Sequence, residues 1–353
     1  MKYPALLPFD DLLPQLDQFD TIIDARSEGE FAEDHIPGAI NCPVLNNEER
    51  ARVGTLYKQV GSFEAKRVGA AIVARNISSH LETHFADKPR DWKPLVYCWR
   101  GGNRSGSMAH ILAKIGWPAI QLDGGYKEYR RHVVAALEVM PRQFDFRVIA
   151  GPTGSGKSEL LRTLEQEGAQ VLDLEKMASH RGSVLGSIPS QPQPTQKSFE
   201  SAIWHALRRF DPARPIFVES ESKKVGSVRV PEALMECIRA SPCIAVSLSM
   251  TDRVALLMRE YVHFVADPDA LNRQLDCLLP LHGRDNLQRW HEMAKSGAMQ
   301  PLVEELLVRH YDPAYLRSIS RNFARYTEAR DISLPDISPK SFVAAARELM
   351  TQE

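Results

Sequence analysis

Two short stretches combine residue types at spacings that could do chemistry. The first is Gly151-Pro152-Thr153-Gly154-Ser155-Gly156-Lys157-Ser158, which fits G-x-x-x-x-G-K-[ST] at every fixed position. Glycines so placed let successive backbone N–H groups curl around phosphate oxygens. A helix starting at the lysine adds the partial positive charge of its N-terminus. Gly151, Thr153, Gly154, Ser155, Gly156, Lys157 and Ser158 are therefore the expected diphosphate-binding set, with Lys157 reaching the terminal phosphates. Ser158 is the residue through which Mg would be held, although the sequence leaves the metal itself open. Asp173 and Glu175 follow one apolar strand pattern, and Glu219 and Glu221 follow another, where metal-organising carboxylates are usual. With Arg181 they form the expected support of the phosphate site. Any diphosphate or triphosphate fits such a cradle, so the motif does not choose the ligand.

The second stretch is Cys98-Trp99-Arg100-Gly101-Gly102-Asn103-Arg104-Ser105. It follows an apolar strand and leads into a helical pattern. A thiol at a strand end, under inward N–H groups and a helix N-terminus, is favoured as thiolate. Arg100 and Arg104 add positive charge for an anion, and the two glycines let the loop wrap tightly. Cys98, Arg100, Arg104 and Lys157 are thus the expected catalytic residues. Cys42, Cys237, Cys243 and Cys277 lack such surroundings and read as inert. No Cys-x-x-Cys pair or zinc-spaced His/Cys cluster is present, and five scattered cysteines do not make a disulfide framework.

The elements that must position these loops fall into two series. From the N-terminus to about Pro141, strands are expected at Thr21–Ala25, Leu95–Tyr97 and Ala119–Leu122. Helices are expected at Ala65–Arg75, Ser105–Ile115 and Tyr126–Val139. After Met140-Pro141, strands are expected at Phe146–Ala150, Gln170–Leu172, Ile216–Val218 and Ile244–Leu248. The Pro/Gln-rich Ser187–Gln196 reads as a loop. Beyond Thr251 the pattern is mostly helical to the end, with Ser249 and Ser338 as caps. The expected architecture is α/β, as two domains, 1–141 and 142–353, each with a parallel sheet, the second ending in a helical region.

The 353 residues are 43% hydrophobic and 25% charged, which excludes disorder as the main state and suits two domains at about 150 residues each. Lys+Arg is 44 and Asp+Glu 45, a formal net charge of -1. That excludes a uniformly basic nucleic-acid binder but not a local basic patch. The N-terminus lacks a signal-peptide pattern and no apolar run spans a bilayer, so a cytoplasmic protein with no membrane partner is expected.

The residues also carry a resemblance. Asp24-Ala25-Arg26, Glu30-Phe31 and His35-Ile36-Pro37-Gly38-Ala39 resemble the rhodanese N-terminal signature. Cys98 with its Arg-rich loop resembles the rhodanese active-site loop, and Gly124-Gly125-Tyr126 the motif after the last strand. Asp34 stands where a glycine often precedes the histidine. The Cys98–Arg104 loop is one residue longer than in sulfur-transferring rhodaneses and is similar to that of rhodanese-like phosphatases, which admit a tetrahedral phosphate.

A rhodanese domain followed by a P-loop domain resembles the tRNA 2-selenouridine synthase family, also tRNA geranyl-2-thiouridine synthases, over nearly the whole chain. Further carriers are Glu49-Arg50, Val53-Gly54-Thr55-Leu56-Tyr57-Lys58, Asp173-Leu174-Glu175, His180-Arg181-Gly182-Ser183, Gln193-Pro194-Thr195-Gln196-Lys197 with Phe199-Glu200, and Val218-Glu219-Ser220-Glu221-Ser222. In the last motif Ser220 and Lys223 depart from the expected Asp and Arg.

The resemblance implies a transferase that replaces sulfur by selenium in wobble-position 2-thiouridine of tRNA. The sulfur is first alkylated with geranyl diphosphate, and selenophosphate then supplies selenium. No tightly bound cofactor is implied, and a selenophosphate-supplying enzyme enters as a further partner. The P-loop would serve geranyl diphosphate and Cys98 the selenium donor. A splayed wobble base calls for stacking aromatics and Arg. Tyr311, Tyr315, Arg317, Arg321 and Arg325 are the tRNA-binding candidates, the three arginines at i, i+4, i+8 of one helical face. Two other readings stay open: an ATP-dependent kinase or sulfurtransferase built from the same two modules, and a non-catalytic anion-sensing or tRNA-binding module.

Overall fold

The computed structural model describes residues 3–183, 185–188 and 191–351. The chain forms two compact units, Met1–Ala136 with Glu200–His205, and Leu137–Phe199 with Ala206–Glu353. The division differs from a single cut at Pro141 because 200–205 group with the first unit. There the Trp204 ring meets Tyr129 edge-on at 5.5 Å.

In the first unit, strands alternate with helices, so the chain returns to the same edge before each new strand and the pairing is parallel. The strands are β1 (Ala5–Leu7), β2 (Thr21–Asp24), β3 (Ile40–Asn41), β4 (Pro94–Tyr97) and β5 (Ile120–Leu122). Their order is β1-β5-β4-β2-β3, every pair parallel. β4 is central and buried throughout. Met108, Ala109, Leu112 and Ala113 of the helix Asn103–Ile115 pack with Ile23, Val96 and Trp117 in one core. The indole N–H of Trp92 donates to Thr21 Oγ1 at 3.0 Å and that of Trp117 to Pro89 O at 2.8 Å, so both large rings are buried with their polar atoms satisfied. The two-residue β3 and three-residue β1 carry too little pattern to be read from sequence.

The second unit has β6 (Phe146–Ala150), β7 (Gln170–Leu172), β8 (Ile216–Glu219), a hairpin of β9 (Lys224–Val225) and β10 (Val228–Arg229), β11 (Cys243–Ser247) and β12 (Arg330–Ser333). The main sheet is parallel in the order β12-β11-β6-β8-β7. The C-terminal stretch is mostly helical, as expected, and also contributes one strand: β12 adds beside β11, pairing Ile332 with Val246. The expected loop 187–196 is shorter than read, because Thr195 Oγ1 accepts from Ser198 N and the helix Gln196–Arg209 begins at once. Pro189 and Ser190 of that loop lie outside the described residues. Ser249 Oγ accepts from Asp252 N at 3.1 Å, capping Met250–Glu260. Pro339 opens the last helix, Pro339–Thr351. A helical layer from Met250 to Asn322 has its own core around Leu275, Trp290 and Leu302.

The turn after β5 is where the first unit tolerates least change. Gly125 has φ +58°, and a Cβ there would lie 2.3 Å from Cys98 O. Tyr126 N already donates to that carbonyl at 2.7 Å. Gly125→Ala is expected to cost about 2 kcal/mol or more through strain and displacement of the thiol loop. The urea midpoint should fall accordingly; an unchanged midpoint would contradict this packing.

Candidate functional site

β6 runs straight into the phosphate loop, and the helix Lys157–Gln166 leaves it. Gly151 admits no side chain, since a Cβ would stand 2.4 Å from Ser155 Oγ and 2.5 Å from Val246 O. The Lys157 ammonium donates to Gly151 O at 2.7 Å and Pro152 O at 3.4 Å, so the cation stays over its own loop. Ser158 Oγ donates to Glu175 Oε2 at 3.1 Å. Glu175 N donates to Glu219 Oε1 at 2.8 Å, joining the ends of β7 and β8. Ser155, expected as a phosphate binder, is fully buried within the loop.

The four acids expected around the loop converge there, and their crowding shows in their titration. Burial, then the neighbouring Glu221, pushes the Glu175 carboxyl up to about 8, against the pull of Lys157. Burial and the surrounding carboxylates push Glu219 well up. Burial also raises Asp173 and Glu221. Among the described residues no group of three or more His, Cys, Asp or Glu side chains has the arrangement of a metal centre. Arg181 donates to Glu260 O at 2.8 Å and lies over the Tyr261 ring at 4.5 Å, at the rim of the same pocket.

Two of the residues read as tRNA contacts lie at the phosphate pocket. Tyr315 Oη accepts from Gly151 N at 2.6 Å, and its ring lies 5.8 Å from the Lys157 ammonium. Tyr311 lines both the phosphate pocket and the space beside it. Arg317 and Arg321 are exposed on the helix Asp312–Asn322. Arg325 does not share their face, because the helix ends at Asn322, where the buried Phe323 turns extended; it pairs with Glu328 at 3.7 Å.

Sequence reasoning missed Arg253. It is 6% exposed, donates from Nε and Nη2 to Thr153 O at 3.0 and 2.7 Å, and bonds both oxygens of Asp312. Its place in an ordinary amphipathic helix start gave no sign of this. Also missed was the space beyond Thr153. There a second pocket adjoins the loop pocket, with almost no polar lining and about 560 Å³ of atom-free space, its open mouth included. Thr153, Ser183, Leu257, Tyr261 and Tyr311 border both.

In the first unit, the carboxyl ends of β2 and β4 bring the signature residues together. Arg26 is 1% exposed and donates to both Asp24 oxygens, to Asp34 O at 2.6 Å, and lies over the Tyr126 ring at 4.1 Å. Cys98 is buried, with Ser105 Oγ donating to its Sγ at 3.2 Å. Arg100 is exposed at the loop tip. Arg104, read as an anion-binding cation, gives its charge to Glu30 in two bonds of 2.7 and 3.1 Å. Burial opposes the Glu30 charge, but the Arg104 bonds and attraction outweigh it and hold the carboxyl down at about 2. Burial, then Asp24, pushes the Cys42 thiol up to about 12, and burial pushes Cys243 to about 11, in keeping with inert thiols. No described helix is long and apolar enough to cross a membrane.

Comparison with known proteins finds a family match for each of the two units. A family model described as the tRNA 2-selenouridine synthase AAA domain matches residues 144–275, and one for the rhodanese-like domain matches 9–132. A tRNA 2-selenouridine synthase of Alcanivorax borkumensis is 32% identical over 332 residues, covering 85% of this chain and 90% of the relative. One from Hydrogenovibrio crunogenus is 35% identical over 269 residues, 71% of this chain and 72% of the relative. The chain belongs to the tRNA 2-selenouridine synthase family. A relative of the same name from Nitrosomonas europaea is 35% identical over 68% of this chain, and the matched stretch spans 63% of that protein. A solved N-terminal domain of a putative ATP/GTP binding protein from Clostridium difficile is 38% identical over 36% of this chain and 98% of that one. Its TM-score of 0.32 carries no structural weight.

The raised Glu175 carboxyl gives a pH test. Between its ordinary 4.5 and about 8, the folded protein keeps a proton that the unfolded chain releases, so stability falls as pH rises through that window. Glu175→Gln removes this penalty. Its Tm relative to the parent should rise steadily from pH 5 to pH 8; parallel Tm curves would contradict the crowded-carboxylate geometry.

Proposed function

We propose that the chain exchanges sulfur for selenium in wobble-position 2-thiouridine of tRNA, through an S-geranyl intermediate. The supporting observation is that an almost wholly apolar pocket shares Thr153 of the phosphate loop, with Ser183, Leu257, Tyr261 and Tyr311, as a common border with the phosphate pocket. A nucleotide's base and ribose need hydrogen-bond partners, and burying them without any costs free energy. An allylic chain asks only for apolar walls. A geranyl diphosphate therefore suits both parts of the site, and ATP suits only one.

The chemistry then follows the residues. The thiocarbonyl sulfur of 2-thiouridine attacks C1 of the geranyl group, and the C1–O bond breaks. The departing diphosphate is met by Lys157 and the N–H groups of the loop, whose charge is fixed before the reaction. Ser158, with Glu175 and Glu221 nearby, offers oxygen donors of the kind Mg takes alongside ligand phosphates, and Mg there would add charge neutralisation. S-alkylation makes C2 electrophilic and its sulfur a thiol leaving group. The selenium of selenophosphate, an anion drawn towards Cys98 by the exposed Arg100, adds to C2 as the C2–S bond breaks and geranylthiol departs. Water then cleaves the P–Se bond, releasing phosphate and leaving 2-selenouridine. Arg104 orients the loop through Glu30. Arg317 and Arg321 remain the exposed cations for tRNA phosphates.

Mass analysis of 2-thiouridine tRNA incubated with geranyl diphosphate, with and without selenophosphate, tests this directly. Selenouridine is expected when selenophosphate is present and the geranylated nucleoside when it is absent. Robust ATP hydrolysis with no alkylated product would favour the kinase reading. Cys98→Ser should abolish selenation and leave geranylation largely intact. Lys157→Ala should lower both products by about 100-fold; unchanged yield in that variant would contradict use of the diphosphate at the loop.

A further inference from the structure

The apolar pocket has a near side and a far side. Its near side is the border it shares with the phosphate loop at Thr153, Leu257 and Tyr311. Its far side is formed by residues that do not reach the phosphate pocket, among them Leu271 on the helix Pro268–Leu275 and Met299 and Leu302 on the helix Met299–Leu306. Leu302 is fully buried, Leu271 is 4% and Met299 6% exposed. All three belong to one packed cluster with Leu275, Leu278 and the fully buried Trp290. A wall backed by a close-packed core has no room to recede, so an extra methylene pressed against it meets repulsion rather than a new contact.

We propose that this far wall, Leu271, Met299 and Leu302, sets the length of the allylic chain accepted from a diphosphate held at the phosphate loop. The inference rests on the reading that the loop takes a prenyl diphosphate. It goes further in assigning chain-length selection to named residues of the helical layer that do not line the phosphate pocket. A chain too short leaves apolar wall uncovered and forfeits burial at each missing carbon. A chain too long either withdraws its diphosphate from Lys157 or distorts the core. Met299 is unbranched and adapts its shape, whereas Leu302 is stiffer and fully enclosed, so Leu302 is the stronger determinant.

The test uses the full chain and 2-thiouridine tRNA, with dimethylallyl, geranyl or farnesyl diphosphate supplied in turn and S-alkyl product measured by mass. The parent protein should prefer geranyl. Leu302→Phe should shift the kcat/KM ratio of dimethylallyl to geranyl upward by about tenfold or more. Leu302→Ala should shift the farnesyl to geranyl ratio upward by a similar factor. Inhibition by inorganic diphosphate, which has no chain, should be equal in parent and variants and reports an intact, folded head site. Should Leu302→Ala fail to fold, Met299→Ala takes its place. Unchanged ratios among the three donors, with inorganic diphosphate still inhibiting, would overturn chain selection by this wall and leave the geranyl reading standing. A parent protein that transfers none of the three would overturn that reading and this inference together.

Discussion

One buried guanidinium holds the phosphate site together. Arg253 bonds the carbonyl of Thr153 within the loop and both oxygens of Asp312 at the start of the helix Asp312–Asn322. The loop is thereby fixed to the helix bearing Leu257 and to the helix bearing Tyr315, whose hydroxyl accepts from Gly151 N. Breaking a buried pair by removing one partner typically costs about 3–5 kcal/mol, because the other charge is left stranded. The position of the apolar pocket beside the loop depends on this tie, since Leu257 and Tyr311 border both spaces. A phosphate loop alone is indifferent to its ligand's other end; the Arg253 contact is what places a second, apolar surface beside this one.

Charge is distributed around the loop in an unusual balance. Four carboxyls crowd the ends of β7 and β8; burial raises all four, and burial with the neighbouring Glu221 pushes Glu175 up to about 8. An array of bare carboxylates would repel a diphosphate; a Glu175 carboxyl that keeps its proton to about pH 8 does not. Lys157, held over its own loop by two carbonyls, then carries the principal positive charge beside the loop's N–H groups. The first unit solves a related problem differently. Its Arg104 is committed to Glu30, so the exposed Arg100 carries the charge at the tip of the thiol loop.

Much of this was legible in the sequence where local pattern and local structure coincide. β6, β7 and the helices beginning near Asn103 and Lys157 follow directly from apolar runs, glycines and the motif spacing. The convergence of Asp173, Glu175, Glu219 and Glu221 followed from their places at strand ends in a parallel sheet. What was not legible depends on tertiary position. β12 lies in a largely helical stretch and is a strand only because β11 offers an edge. Arg253 resembles any surface arginine until Thr153 and Asp312 close around it. Tyr311 and Tyr315 read as stacking residues among arginines, and only the fold turns them towards the loop. The apolar pocket is assembled from five helical segments and the loop residues Thr153, Ser183 and Leu185, none of which announces a pocket in isolation.

The central claim is that the phosphate loop takes a diphosphate with an apolar tail. The most direct measurement is calorimetric titration of the protein with geranyl diphosphate and with ATP at several temperatures. Burial of an allylic chain in the apolar pocket predicts tighter binding of geranyl diphosphate and a distinctly negative heat-capacity change, larger than for inorganic diphosphate. Tighter binding of ATP, or a heat-capacity change for geranyl diphosphate no larger than that for inorganic diphosphate, would contradict it.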